Sequence, residues 1–488
     1  MQPLNHHTIA SLPADVSRRH DSPSKQIGIV HIGPGAFHRA HQAVFTEDAL
    51  PFDDKWGICA VSMHSRGVRD ELSSQDNLYT LAILDHAPRF QIISAIREVL
   101  VLADQRQQVM ARLTAATTHI VTLTITEKGY CLDAQGQLDF QHADIRHDLA
   151  KPEQPMSAIG LLVAALRERY AKALKQLTII SCDNVSDNGN KLAKAVISFA
   201  AEQDRQFADW IEQTIYFPNT MVDSITPATD DALRQRVNQA LKVHDNWPIQ
   251  REAFSQWVIE DRFSGPLPQW EKVGVTFTHD VSAYEKAKLR VLNGSHSTLA
   301  YLGLRCGLVA VSQAVNQPVL LRFLRQMLKD EVQGTLNAPS ELNISQYIDA
   351  VLTRFRNPHI RHLLSQIAWD GSQKLPIRLL GTIQDNLDKG TSIRLLSAGI
   401  AAWLQFLVSA AKTQTTLVDP LAETLLAVAT KCTGNRKQDV ELFLAISSVF
   451  PTKLAKNPAF MQAVSEAYIS LFELNEHTIV TVIDSFLN

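Results

Sequence analysis

Lys288, Asn293 and His296 stand at i, i+5 and i+8 in the apolar stretch Lys288-Leu-Arg-Val-Leu-Asn-Gly-Ser-His296. At about 100° per residue they fall at roughly 0°, 140° and 80° around a helix, so all three can look into one cleft. A lysine amine can carry a proton, and an asparagine amide can donate to a developing oxyanion. Taken singly, each has an ordinary explanation. Leu289, Leu292, His296 and Leu299 form an i, i+3, i+7, i+10 stripe that suits a core histidine, and Lys288 alone suits a solvated helix position. A free lysine, with a pKa near 10.4, is a poor base at neutral pH. Desolvation or a neighbouring positive charge pushes it down toward a useful range.

A second motif lies near the N-terminus, where Ile27-Gly-Ile-Val-His-Ile-Gly33-Pro-Gly35-Ala36-Phe37-His38-Arg39-Ala-His41 runs a short apolar strand into Gly-x-Gly and then a helix. Such a turn sets a pyrophosphate on backbone N–H groups at a helix start. His38 stands where the third glycine of the usual fingerprint is expected. Gly33, Gly35, Ala36 and Phe37 are therefore cofactor-binding candidates. Arg39 is a candidate phosphate partner, with a surface ion pair as its alternative. Two histidines and an arginine directly after the turn are hard to explain by packing.

These motifs need rigid elements to hold them. From Ile27 to about Ser181 apolar strand candidates (Ile27–Ile32, Gly57–Ser62, Gln91–Ile93, His119–Thr124, Leu177–Ser181) alternate with helix candidates (Ala40–Ala49, Asp104–Ala116, Ser157–Leu174, Asn190–Gln203). Continuous β-branched strands alternating with helices predict a Rossmann-like, doubly wound parallel sheet. Ligands then lie beyond the carboxyl ends of its strands, where Gly33, Glu127 and Asn184 each follow a strand candidate. From about Glu285 the pattern turns helical: Leu289–Leu302, Gln313–Glu331, Ile344–Phe355, Ile360–Ile367, Ile393–Ala411, Pro420–Ala429, Val440–Val449 and Met461–Leu474. The expected organisation is an α/β domain over residues 1–285 and a mainly α-helical domain over 286–488, with the active site between them.

The chain resembles the mannitol dehydrogenase family, the long-chain polyol-specific dehydrogenases. The resemblance rests on Gly33–His41, Thr124-Ile-Thr-Glu127-Lys128-Gly-Tyr130, Ser181-Cys-Asp-Asn184, Phe217-Pro-Asn-Thr-Met-Val222-Asp223, Gln256-Trp-Val-Ile-Glu-Asp261, the Lys288–His296 segment and Asp370-Gly-Ser-Gln-Lys374-Leu-Pro, in order across most of the chain. It implies NAD-dependent hydride transfer between a secondary alcohol and a ketone on an acyclic sugar-derived substrate. It implies Lys288 as acid/base, Asn184 and Asn293 as oxyanion donors, His296 as a ligand of a substrate hydroxyl, and Glu127 as a proton relay to water. Val222, Asp223 and Lys374 are implied near the substrate, and no metal is needed.

Two departures separate this chain from mannitol-oxidising members, which carry arginine where it has Gln366 and glycine where it has Lys128. Members that reduce fructuronate to mannonate share Glu-Lys-Gly-Tyr, the Lys374 segment and the Arg361-His362 pair. A uronate carboxylate favours cationic partners, and Lys128, Arg361 and Lys374 are the candidates. Fructuronate/mannonate is the expected substrate pair, mannitol/fructose the alternative, and a non-catalytic nucleotide sensor a distant third. After Gly57–Ser62, where NAD enzymes usually place an acid, the chain reads Met63-His-Ser65-Arg66 with no carboxylate before Asp70. Ser65 and Arg66 could meet a 2′-phosphate, which leaves NADP open beside NAD.

Composition agrees with a metabolic enzyme. The chain has 488 residues, enough for two or three domains, and 45% apolar content supports a large core. A net charge of −3 argues against a nucleic-acid surface. Five scattered cysteines without a C-x-x-C pair read as reduced thiols with no structural zinc. Met1 to Arg19 is polar and reads as no signal peptide, and Leu395 to Ala411 reads as a core helix. A cytoplasmic monomer or weak homo-oligomer without membrane or nucleic-acid partners is expected.

Overall fold

Runs of β-branched residues form the buried centre of a parallel sheet in the computed structural model, which describes residues 1–18, 26–85, 87–360 and 362–487. The chain divides into two units, Met1–Val281 and Ser282–Asn488. The boundary expected at residue 285 falls inside the helix Val281–Ala287.

In the first unit the strands are β1 (Ile27–Ile32), β2 (Gly57–Ser62), β3 (Tyr79–Leu84), β4 (Arg89–Ile93), β5 (Ile96–Val101), β6 (Ile120–Leu123), β7 (Thr178–Ser181), β8 (Thr220–Asp223), β9 (Ile249–Glu252), β10 (Gln256–Glu260) and β11 (Thr276–Thr278). Five of them make the main sheet in the order β5-β2-β1-β6-β7, every neighbouring pair parallel. This is a Rossmann-like doubly wound sheet. Its strand order reverses between β1 and β6, and ligands bind in the crevice at such a switch point. β1, β2, β6 and β7 are buried along their whole length, which explains their continuous apolar reading.

One strand expected in this sheet lies elsewhere. Gln91–Ile93 belongs to β4, which pairs antiparallel with β3 in a side sheet of order β4-β3-β9. The third strand of the main sheet is β5, at its edge. Arg97 and Glu98 are only partly buried there, and Glu98 pairs with Arg112 at 2.6 Å. These charges break the apolar run that marks the central strands. A third small sheet, β11-β10-β8, carries Val222 and Asp223.

The second unit is helical. The segment expected as one helix over Gln313–Glu331 is divided: Val311–Val315 ends before Pro318, which starts Pro318–Met327, because proline suits the first turn of a helix and no later one. The helix expected over Ile360–Ile367 shrinks to Leu364–Ile367. The longest helix, Arg394–Thr413, is 20 residues with mean hydropathy 1.4 and lies mostly buried. Its N-terminus is held by Glu331, whose carboxylate accepts from the Leu395 and Leu396 N–H groups at 2.9 and 2.8 Å. Among the described residues three π-helical turns interrupt the unit, at Lys288–Asn293, Leu328–Val332 and Pro376–Leu380. The last begins at a proline, whose missing N–H and ring disrupt the α-helical ladder.

Candidate active site

The rim of the main sheet is built by glycine geometry and one buried acid. Gly33 follows β1 with φ +90°, and a Cβ there would lie 2.2 Å from the Thr124 carbonyl oxygen, so only glycine makes this turn. Gly35 is different. Its φ of −73° suits any residue, and a Cβ would meet nothing nearer than the Gly33 oxygen at 3.9 Å. The protein itself does not require a glycine there. Gly35 and Ala36 are exposed, with Phe37 partly covered, and this open cradle at a βα turn fits a dinucleotide pyrophosphate. Ser65 is exposed beyond β2, beside Arg66, which pairs with Asp104 at 2.6 Å.

The polar run after the turn goes inward. His38 is buried and stacks on His31 with ring centroids 3.3 Å apart. The Arg39 guanidinium donates to the Trp247 carbonyl at 2.8 Å and lies between the Tyr79 and Trp247 rings. Burial lowers its pKa to about 10. Arg39 is thus committed to the core, away from the phosphate position proposed for it. His41 stacks on Phe37 at 4.8 Å and bonds the Gln256 carbonyl at 2.9 Å. That bond ties the helix after the glycine turn to β10, which pairs Gln256 with Asp223 and Trp257 with Val222.

Asp183 organises the far side of the rim. Its carboxylate accepts from the N–H groups of Ile125 and Thr126 at 3.0 and 2.8 Å and from the Tyr130 hydroxyl at 2.7 Å. Burial raises its pKa, partly offset by these donors. Thr126 sits at φ +63°, a strained backbone that costs about 1–3 kcal/mol, and Asp183 holds it there. Glu127 and Lys128 follow, both exposed, and Asn184 is the exposed residue next to Asp183. Asn188 links the same loop to β8: it accepts from the Thr220 N–H at 2.9 Å and donates to the Asp183 carbonyl at 3.0 Å. Val222 and Asp223 are thereby fixed, buried, at the end of that strand.

In the second unit Lys288 and Asn293 share a π turn rather than the regular helix that their spacing suggested. The Gly294 N–H reaches back to the Leu289 carbonyl, an i to i+5 bond. Such a turn holds more residues than an α-helical one, so the angle between Lys288 and Asn293 departs from the roughly 140° of a regular helix. Lys288 is 8% exposed and His296 6%. The His296 ring stacks on Phe355 at 4.4 Å and meets His362 edge-on at 4.8 Å. Burial, with His362, Arg378 and Arg354 nearby, holds its pKa well below the usual value, so it is neutral at physiological pH. Lys374 donates to the Trp369 carbonyl at 2.6 Å and lies 3.8 Å from Asp370. Arg361 lies outside the described residues. Among those described, no three His, Cys, Asp or Glu side chains gather in a group that could hold a metal ion.

A family model described as the mannitol dehydrogenase Rossmann domain matches residues 27–272, and one described as the mannitol dehydrogenase C-terminal domain matches residues 280–472. The chain belongs to the mannitol dehydrogenase family. It is 40% identical to D-mannonate oxidoreductase of Escherichia coli (strain K12), over 91% of this chain and 93% of that protein. It is 35% identical to mannitol 2-dehydrogenase of Phaeosphaeria nodorum, over 91% of this chain and 79% of that protein. The structure of Pseudomonas fluorescens mannitol 2-dehydrogenase in ternary complex with NAD and D-mannitol superimposes with a TM-score of 0.80 at 33% identity, covering 100% of this chain and 99% of that one. The protein is accordingly an oxidoreductase of the polyol and aldonate dehydrogenase type.

Sequence reasoning named the exposed rim residues and missed the groups that support them. Asp183 and Tyr130 lay inside quoted motifs, and the acid between Ser181 and Asn184 was the available signal. Arg378, two residues after Pro376, had no signal of spacing that set it beside His296, and His362 was named only through its pair with Arg361.

Proposed function

We propose that this chain interconverts D-fructuronate and D-mannonate with NAD as cofactor. The cationic groups near His296 carry the reading: Arg378 donates to Ser297, the next residue, at 3.1 Å, and Arg354 and Arg378 both help to hold the His296 and His362 rings neutral. A neutral polyol needs no such charges, whereas the carboxylate of a sugar acid does. The likeness to D-mannonate oxidoreductase supports the same choice.

The roles follow from the chemistry of each group. Gly33, Gly35, Ala36 and Phe37 hold the dinucleotide, and Ser65 stands at the ribose end. When bound, NAD supplies the hydride acceptor. Lys288, 8% exposed, takes the hydroxyl proton in oxidation and returns it in reduction. Asn184 and Asn293 donate to the substrate oxygen as charge develops on it. Neutral His296 holds a substrate hydroxyl, Val222 and Asp223 bound the substrate, and Glu127 exchanges the lysine proton with water. The lysine does this work without a metal.

The test is a steady-state panel of fructuronate, tagaturonate and fructose, each with NADH and NADPH. Fructuronate with NADH is expected to exceed fructose by several orders of magnitude in kcat/KM, because a cation facing a neutral hydroxymethyl group loses its partner. Equal rates on fructose and fructuronate would replace this reading with mannitol 2-dehydrogenase.

A further inference from the structure

We propose that Arg378, backed by His362, is the residue that meets the substrate's terminal carboxylate; this deepens the sugar-acid reading above and rests on it. Arg378 lies in the π turn Pro376–Leu380, which packs on the helix carrying Lys288, Asn293 and His296. The approach is close: a Cβ at Gly294 would sit 3.2 Å from the Arg378 carbonyl oxygen. Its guanidinium is partly buried and donates from Nη1 to Ser297 Oγ at 3.1 Å, on the residue next to His296. Among the described residues that is its one side-chain hydrogen bond, and no carboxylate pairs with it.

The neighbouring arginine shows what the fold does when it supplies a partner. Arg290, on the Lys288 turn, pairs with Asp385 at 2.7 Å. Arg378 has no such acid, although desolvated charges are costly without one. Two ring nitrogens face the same shortage. His296 Nε2 and His362 Nδ1 are both buried with no hydrogen-bond partner among the described residues. Two ring nitrogens without partners and a guanidinium without an acid, beside Lys288 and Asn293, fit an anionic, hydroxylated ligand that satisfies them together. A planar guanidinium suits the two oxygens of a carboxylate.

The cations named from sequence fit this role less well. Lys374 already donates to the Trp369 carbonyl and lies near Asp370. Lys128 is exposed, where solvent already satisfies its charge.

The test compares wild type with Arg378→Met on fructuronate and fructose, both with NADH. The ratio of the two kcat/KM values is expected to fall on the order of 100-fold. Calorimetric titration of D-mannonate into the NADH-saturated protein, where no hydride can pass, should show a matching loss of affinity. A ratio within threefold of wild type would overturn the assignment, as would parallel losses on both substrates. If Arg378→Met does not fold, Arg378→Lys serves: it keeps the charge but not the fork, so a drop of about 10-fold is expected, and an unchanged ratio overturns the proposal. A wild-type enzyme indifferent to the carboxylate would instead sink the sugar-acid reading itself, which keeps the two failures distinct.

Discussion

Replacing Gly35 by alanine should make the cofactor-free protein more stable and its cofactor binding weaker, and these opposite signs test the glycine turn directly. At Gly35 the backbone has φ −73° and ψ −171°, which alanine adopts without strain, and the nearest atom to the new methyl group is 3.9 Å away. The folded state therefore bears no cost, while the unfolded chain loses freedom. The expected gain is about 0.4–1 kcal/mol, or a rise of roughly 1–3 °C in Tm. The same methyl group occupies space that a pyrophosphate needs to approach the backbone. Losing one charge-assisted N–H bond costs about 1.5–3 kcal/mol, a weakening of roughly 10- to 150-fold in Kd for NADH. Gly33→Ala is the contrasting control. With φ +90° and the Thr124 oxygen 2.2 Å from the methyl carbon, it forces the backbone to move and should cost about 2 kcal/mol or more of stability. Thermal melts without cofactor and fluorescence titration with NADH measure both quantities. If Gly35→Ala binds NADH within threefold of wild type, the turn is not the pyrophosphate site. If it is destabilised as Gly33→Ala is, Gly35 serves packing and the open-cradle argument fails.

Lys288→Met should lower kcat by about 10²–10⁴-fold, the usual value of a positioned acid/base group, while NADH titration stays at the wild-type Kd; near-normal turnover at neutral pH would remove the lysine from the proton path. A pH prediction concerns His38, whose pKa is pushed well below 6.5 by burial, with His31, Arg39 and His41 adding to the effect. Below pH 6.5 the unfolded chain binds a proton that folded His38 does not, so stability present above that pH is lost on acidification, at about 1.4 kcal/mol per pH unit. His38→Phe should therefore lose less stability than wild type between pH 6.5 and 5 in urea titrations, and parallel curves for the two proteins would refute the assignment. Glu47, raised to about 7 by burial, acts with the opposite sign in this window but is common to both proteins.

The elements that could be read from sequence are those whose residues answer to one local demand. β1, β2, β6 and β7 are buried on both faces, so nearly every residue in them is apolar and the run is visible without its neighbours. β5 was hidden because an edge strand tolerates Arg97 and Glu98. β8 (Thr-Met-Val-Asp) and β9 (Ile-Gln-Arg-Glu) carry charged residues within four-residue spans, so neither shows an apolar run. The same distinction runs through the site. Gly33 is required by its own φ and by the strand beside it, and that demand is written in the turn. The arginine and second histidine after it depend on distant partners: Arg39 on Trp247, His41 on Gln256. No spacing rule joins residues 200 positions apart, so a buried polar frame and a phosphate-binding face look alike in one dimension. The π turn at Lys288 is a third kind of case. A regular helix puts Asn293 well around from Lys288, and the wider π turn changes that angle. Identity and spacing could nominate the lysine and the asparagine, but their alignment depends on the irregular turn between them. The same reasoning makes Arg378 invisible in sequence, since it reaches Ser297 from a turn reset by Pro376. Irregular helical turns, each with an identifiable backbone cause or closing bond, therefore converge where the chemistry is proposed, and side-chain periodicity alone locates neither.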